Sequence, residues 1–356
     1  MKRSRILVLL TSAALVLTAC TSTPDGADGP SASIAEVTDQ ATLDKLVEIA
    51  QEEGRVVWYT SVPSERAQQI ADMFTDEYDI EVMVQRSGGN DILQRYLLEK
   101  EAKRVQNDVL TISDPAAFIN LQKENDLTCF KPRNFADVPT YAKDADGCWI
   151  STRTNAMVMA YNTEQVTEPP AGWGDIVNPR FSGDLAYVDP NFSSGSLIVT
   201  AGLANDLSWD WFDKLKATKP FVVKSNNQLM ETVVLGERSV AAFVNSTYVA
   251  EAKAKAQPVD WVFPEDGVYL VAAPSAVVSG APNPAAGKLL ADFLLTEEVQ
   301  QLMIEDGNYA AVEGMAPPVG QPAIEDLNVL DIDYNKIAED GESIRDQFNS
   351  LIGSGN

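Results

Sequence analysis

The sequence predicts an α/β protein of two lobes, each a mostly parallel sheet flanked by helices, with strands passing between the lobes. Three observations predict it. Short apolar runs of strand character alternate with helical periods between residues 56 and 112. The same alternation returns between residues 185 and 248. The chain has 356 residues, 45% of them hydrophobic, which is enough for two separate cores. A repeat of short fixed period is absent, which argues against a solenoid.

Ahead of the body the chain opens on Lys2, Arg3 and Arg5, then runs apolar over residues 6–17 apart from Thr11 and Ser12. A charged start, a short apolar core and small residues before a cut form the pattern of an export signal. The run is too short to span a bilayer as a mature helix. Leu17-Thr18-Ala19-Cys20 resembles the lipobox of lipoprotein signal peptidase. That resemblance implies a signal peptide over residues 1–19 and a lipid, palmitate included, on Cys20. An ordinary signal peptide with an incidental cysteine is the competing reading. Residues 20–36 are dominated by Ser, Thr, Pro, Gly, Asp and Ala without apolar period, and are expected to form a flexible tether.

The body is expected from residue 37. Leu43, Leu46, Val47 and Ala50 recur at helical spacing, and Gly54 ends the helix. A strand over 56–59 leads to a helix capped by Ser64 and carrying Ile70 and Phe74. A strand over 80–84 leads to a helix begun by Asn90 or Asp91, with Ile92, Leu93, Tyr96 and Leu97 inside. A third strand covers 108–112. Residues 129–161 lie between the lobes and hold a strand over 156–161. The second lobe reads as strand 185–188, helix 195–204, helix 209–215, strand 221–223, helix 228–235, strand 240–244 and a helix after Tyr248. A β-prone run over 269–278 carries the chain back. One long amphipathic helix is expected over 285–305 from Leu289, Leu290, Phe293, Leu294 and Leu302, and a weaker helix near 344–351. The division is therefore 37–128 with 270–314 in the first lobe, and 129–269 with 315–356 in the second.

Composition removes several chemistries. The formal charge of −25, made more negative when the leader's cations are lost, argues against nucleic acid and against electrostatic docking on anionic lipid. Histidine is absent from the sequence, which removes Ser-His-Asp and Cys-His catalysis and most zinc sites. With Cys20 assigned to lipid, Cys129 and Cys148 remain as a pair in an exported protein, where disulfides form. They are expected to bond; two buried free thiols are the alternative.

In open parallel sheets ligands bind beyond the carboxyl ends of the strands. Those positions hold Thr60-Ser61-Val62-Pro63-Ser64, Arg86-Ser87-Gly88-Gly89-Asn90 and Ser113-Asp114-Pro115 in the first lobe. In the second they hold residues 189–196, Ser225-Asn226-Asn227 and Asn245-Ser246-Thr247-Tyr248. Nearly every residue is a hydroxyl, amide or glycine leading into a helix, whose amino terminus offers free N–H groups and a partial positive charge. Taken singly, each loop is an ordinary set of helix caps. Taken together, six loops on the strand ends make an anion-friendly cleft. Ser193-Ser194-Gly195-Ser196 is the strongest, with three hydroxyls around a glycine that permits close backbone approach. Arg86 is the one cation in these loops, facing either an anion or its neighbours Asp91 and Glu81. The ligand-binding residues expected are Thr60, Ser61, Ser87, Gly88, Asp114, Ser193, Ser194, Gly195, Ser196, Asn226, Asn245 and Tyr248.

At this point the chain resembles the solute-binding proteins of bacterial ABC importers, in the branch that includes ferric-ion-binding proteins. The resemblance runs from about residue 43 to 318. It rests on Glu53-Gly54-Arg55-Val56-Val57-Trp58-Tyr59-Thr60-Ser61, Arg86-Ser87-Gly88-Gly89, Asn107-Asp108-Val109-Leu110, Met159-Ala160-Tyr161-Asn162-Thr163, Gly236-Glu237, Pro264-Glu265-Asp266-Gly267 and Gly280-Ala281-Pro282-Asn283-Pro284. It implies a two-lobed type 2 periplasmic-binding-protein fold that closes on ligand about a hinge, delivery to a membrane permease driven by an ATPase, and no catalysis. It implies an extracytoplasmic, lipid-anchored monomer without cofactor. Ferric-binding members use adjacent tyrosines where this chain has Thr247 and Tyr248, so one phenolate is missing. If iron were the cargo, Tyr248, Tyr59 and Glu265 are the ligands to expect, with Tyr161 and Tyr269 as further oxygen donors. The Ser193–Ser196 loop resembles the one that holds the companion anion in iron-binding members. A phosphate- or carboxylate-bearing organic anion and ferric iron both remain open as cargo. An enzyme on the same fold and a structural lipoprotein are the more distant readings.

Overall fold

The computed structural model describes residues 34–353. The leader, Cys20 and most of the expected tether lie outside the described residues.

Helix α1 (Gln40–Glu53) buries the stripe Leu43, Leu46 and Ala50; Asp39 caps its start, and Gly54 at φ +71° ends it by donating to Ala50 O. It is followed by β1 (Arg55–Thr60), α2 (Ser64–Tyr78), β2 (Glu81–Arg86), α3 (Gly89–Glu101), β3 (Val109–Thr111), α4 (Pro115–Lys123) and β4 (Leu127–Thr128). Then come β5 (Ile150–Asn162), α5 (Trp173–Ile176), β6 (Leu185–Val188), α6 (Ser194–Asp206), α7 (Asp210–Ala217), β7 (Phe221–Val223), α8 (Asn226–Val234), β8 (Val240–Asn245) and α9 (Ser246–Ala254). The chain finishes with β9 (Val259–Val262), β10 (Val268–Val278), α10 (Pro284–Phe293), α11 (Glu297–Glu305), β11 (Tyr309–Ala310), β12 (Val329–Leu330) and α12 (Tyr334–Ile352).

The protein is a two-lobed α/β fold. In the first lobe β1 lies between β2 and β3, parallel to both. In the second, β6 lies between β7 and β8, again parallel. The long strands β5 and β10 pair antiparallel between these parallel sets, so the order runs β2-β1-β3-β10-β5-β8-β6-β7. Pro274 cannot donate to the ladder, and the β5–β10 register shifts beside it. One apolar cluster extends from Leu110 and Phe118 through Met157 and Tyr269 to Tyr187 and Phe243, linking the lobes through these strands. Separate clusters fill the outer side of each lobe: Trp58, Phe74 and Phe293 in the first, Leu229 and Val244 in the second.

Three expectations need correction. The long helix over 285–305 is two helices. Thr296 takes an extended conformation, and Thr296-Glu297-Glu298 is a helix-start signal embedded in the apolar period. Gln300 Nε2 then satisfies Leu294 O at the end of α10 (2.7 Å), so the break leaves no orphan there. The strand expected over 156–161 is a 13-residue strand that starts at Ile150, because Ser151, Thr152 and Thr154 are buried against β10 rather than in a loop. Residues 34–36 do not belong to a flexible segment. Ile34 is buried and its carbonyl accepts from Lys288 Nζ (2.6 Å), while Ala35 O and Val37 N both bond the backbone of Lys131.

Helix α12 is longer than the weak period near 344–351 suggests, and it touches both lobes. It meets α4 through Lys123–Glu339 (3.0 Å) and Asn120 Nδ2–Ala338 O (3.3 Å). It meets the second lobe through Asn191 Nδ2–Asn349 Oδ1 (2.8 Å) and Arg345 Nε–Pro190 O (3.3 Å). Cys129 and Cys148 are disulfide-bonded. Beside them Gly147, at φ +76°, sits where an added Cβ would lie 2.7 Å from Phe130 O, so the turn that presents Cys148 requires glycine.

Candidate functional site

Between the lobes lies a cleft of about 1040 Å³. Six helix amino termini supply its walls: those of α2, α3 and α4 from one lobe, and α6, α8 and α9 from the other. This is the arrangement expected when every parallel strand in both lobes ends on the same edge.

The structure brings most of the expected residues to this cleft. Ser61, Ser87, Gly88, Asp114, Ser193, Ser194, Gly195, Asn226, Asn245 and Tyr248 all line it. Several also cap helices, as their types predict: Asp114 accepts from Ala117 N (3.1 Å), Ser193 from Ser196 N (3.2 Å) and Asn245 from Thr247 N (3.0 Å). Capping and cleft lining are therefore not alternatives here. Arg86 also lines the cleft and forms no salt bridge among the described residues, with Asp91 instead accepting from Ser87 Oγ (3.1 Å).

Four expected residues are not on the cleft wall. Thr60 is fully buried and its hydroxyl accepts from Val62 N, holding the turn. Ser196 is buried with its hydroxyl donating to Val188 O. Tyr59 is buried on the far side of β1, where its hydroxyl donates to Glu99 Oε1 (2.9 Å). Glu265 lies in the turn before β10, bonded through its N–H to Ala171 O. Tyr269, a further donor considered for iron, spends its hydroxyl on Asp206 Oδ2 (2.8 Å). Of the named oxygen ligands, Tyr248 alone reaches the cleft.

Sequence reasoning missed the floor. In β5 alternate side chains share a face, and Arg153, Asn155 and Met157 all line the cleft. Arg153 is 7% exposed; its Nη2 donates to Ser113 Oγ (3.1 Å), and its buried Nη1 has no partner among the described residues. Burial pulls its pKa down to about 10, with Asp306 and Tyr248 opposing that fall, so it stays cationic at neutral pH. Asp306 is itself gripped by the fork of Arg66, Nε to Oδ2 at 2.8 Å and Nη2 to Oδ1 at 2.7 Å. Burial also pushes the Tyr248 phenol up, against the opposing pull of Asn226, Arg86 and Arg153. Tyr248 is thus a neutral hydroxyl donor near two guanidinium groups. Lys224, its Nζ 5.4 Å from the ring centroid of Phe192, adds a cation at the second lobe's wall. An isolated arginine within a run of buried β-type residues was the available signal.

A two-lobed fold with donors converging on a central cleft can hold a small polar solute. The family model described as bacterial extracellular solute-binding protein matches residues 107–340. This chain belongs to that family. Among relatives of this solute-binding protein, a Salmonella typhi protein provisionally named a 2-aminoethylphosphonate-binding periplasmic protein is 27% identical over 244 residues, covering 66% of this chain and 70% of the relative. Solved structures share its fold, among them two with different ligands. Iron-bound HitA from Pseudomonas aeruginosa superposes with a TM-score of 0.74 at 21% identity, over 83% of this chain and 99% of HitA. AfuA from Actinobacillus pleuropneumoniae, with fructose-6-phosphate bound, also reaches 0.74, at 20% identity over 84% of this chain and 98% of AfuA.

Proposed function

We propose that this solute-binding protein captures a small organic anion with a phosphonate or phosphate head and hands it to the permease of an ABC importer. We further propose that a lipid on Cys20 holds it at the outer face of the cell membrane. The observation that carries the cargo reading is Arg153. A buried guanidinium with an unused N–H, on a side chain that lines the cleft, costs free energy unless an anion completes it. Arg86, Lys224, the neutral Tyr248 hydroxyl and six helix amino termini converge on the same space. The relative named above for 2-aminoethylphosphonate, and AfuA with its sugar phosphate, support the class of head group.

Ferric iron is the second reading, supported by the likeness to iron-bound HitA and by Tyr248 in the cleft. Two guanidinium groups around a single phenol weigh against it, because a trivalent cation prefers phenolate and carboxylate oxygen. Either way the cargo is a solute and not a resident cofactor.

Thermal-shift titration separates the readings. A ligand that binds only the folded state raises the melting temperature by mass action. 2-Aminoethylphosphonate or a sugar phosphate is expected to raise it in a saturable manner, and ferric citrate is not. A ferric-induced shift with a visible phenolate-to-iron band would overturn the anion reading.

A further inference from the structure

The cleft contains a feature that an anion site built only from donors would lack. Asp114 lines the cleft beside Ser193 and Ser194. It caps α4 with one oxygen, Oδ1 accepting from Ala117 N at 3.1 Å. Its other oxygen, Oδ2, accepts from Ser194 Oγ at 2.7 Å. Asp114 follows β3 in the first lobe and Ser194 opens α6 in the second, so this bond crosses the cleft. A carboxylate oxygen can accept more than one hydrogen, so Oδ2 keeps acceptor capacity beyond Ser194, on a side chain that lines the cleft. The charged and titratable groups that face Asp114 are Arg345 and Tyr334 of α12, and Arg153 of β5 bonds the adjacent Ser113.

A carboxylate against an anionic head is repulsive unless a hydrogen lies between the two oxygens. Sulfonate and sulfate heads have no hydrogen to give near neutral pH. A phosphonate or phosphate ester keeps one in its singly charged form. We propose that Asp114 is a specificity-determining residue, its carboxylate accepting the remaining O–H of the bound head group, so that the cleft takes phosphonates and phosphate esters and rejects sulfonates and sulfates. This deepens the organic-anion reading and rests on it. The Ser194 hydroxyl fixes the carboxylate in place across the cleft.

The test uses a matched pair of probes, 2-aminoethylphosphonate and 2-aminoethanesulfonate. They share the ammonium, the two-carbon chain and, with the phosphonate singly protonated, a tetrahedral head of one negative charge, and differ in the titratable O–H. The wild-type protein is expected to bind the phosphonate at least ~100-fold tighter, since a site built around a hydrogen bond strongly rejects the analogue that lacks it. Asp114→Asn keeps a helix cap of equal quality, and its amide N–H can donate to a sulfonate oxygen. It is expected to narrow the ratio to below about tenfold, mainly by gaining sulfonate affinity. In the wild type, affinity for the phosphonate is also expected to fall as pH rises through the second ionisation of the phosphonate head, because the complex must then take up a proton. Sulfonate affinity should lack that fall. Equal binding of the two probes by the wild type, or an unchanged ratio in Asp114→Asn, overturns the specificity role and leaves the anion reading standing. If neither probe binds, and inorganic phosphate and sulfate also fail, both readings fall. The wild-type ratio decides the matter even if Asp114→Asn does not fold.

Discussion

Arg153 and Ser194 show what one sequence reveals about single residues and what it hides. The Ser193-Ser194-Gly195 run was legible because hydroxyls around a glycine at a strand end have few other uses. Arg153 was hidden because it lies not in a loop after a strand but within β5, whose apolar period marks only its later part. Tyr59 and Glu265 failed for a different reason: their side-chain or backbone partners, Glu99 and Ala171, come from distant segments that local pattern does not place. The energetics of Arg153 give a clear expectation. Its buried guanidinium is unpaired on one side, so Arg153→Met should leave the melting temperature of the ligand-free protein unchanged or raised. The same change should cost about 2–5 kcal/mol of anion binding. Calorimetric melting beside a binding titration reads both. A variant that loses stability and keeps affinity would assign Arg153 to the scaffold.

At the scale of elements, strand and helix identity followed from apolar period, whereas boundaries followed from capping chemistry. Gly54 ended α1 where expected, since only its left-handed turn was needed. Thr296 split one apolar period into α10 and α11 because Thr-Glu-Glu begins a helix as strongly as the flanking leucines continue one. The loop closed by Cys129 and Cys148 belongs to this scale. A bridge across a separation of 19 residues restricts the unfolded chain, and removing it is expected to cost about 3 kcal/mol. Cys129→Ser with Cys148→Ser should lower the denaturant midpoint without changing ligand stoichiometry. Two alkylatable thiols in the unreduced wild-type protein would contradict the bond itself.

For the molecule as a whole, two lobes were legible from two runs of alternating strand and helix. That β5 and β10 would fuse them into one continuous sheet was not, because pairing between strands more than a hundred residues apart leaves no local mark. The same holds for α12, whose contacts with α4 and with Asn191 ahead of α6 come from opposite lobes. Anchoring also acts at this scale. Cys20→Ser is expected to shift the protein from the membrane fraction to the soluble exported fraction while leaving ligand binding intact. Membrane retention of that variant would set aside the lipid anchor. Binding by the whole molecule depends on a buried cation at the inter-lobe cleft receiving an organic anion. The direct measurement is a calorimetric titration of 2-aminoethylphosphonate into the wild-type protein and Arg153→Met. One saturable site is expected in the wild type and at least ~30-fold weaker binding in the variant. Equal affinity in both, or no binding in the wild type alongside tight ferric binding, would contradict it.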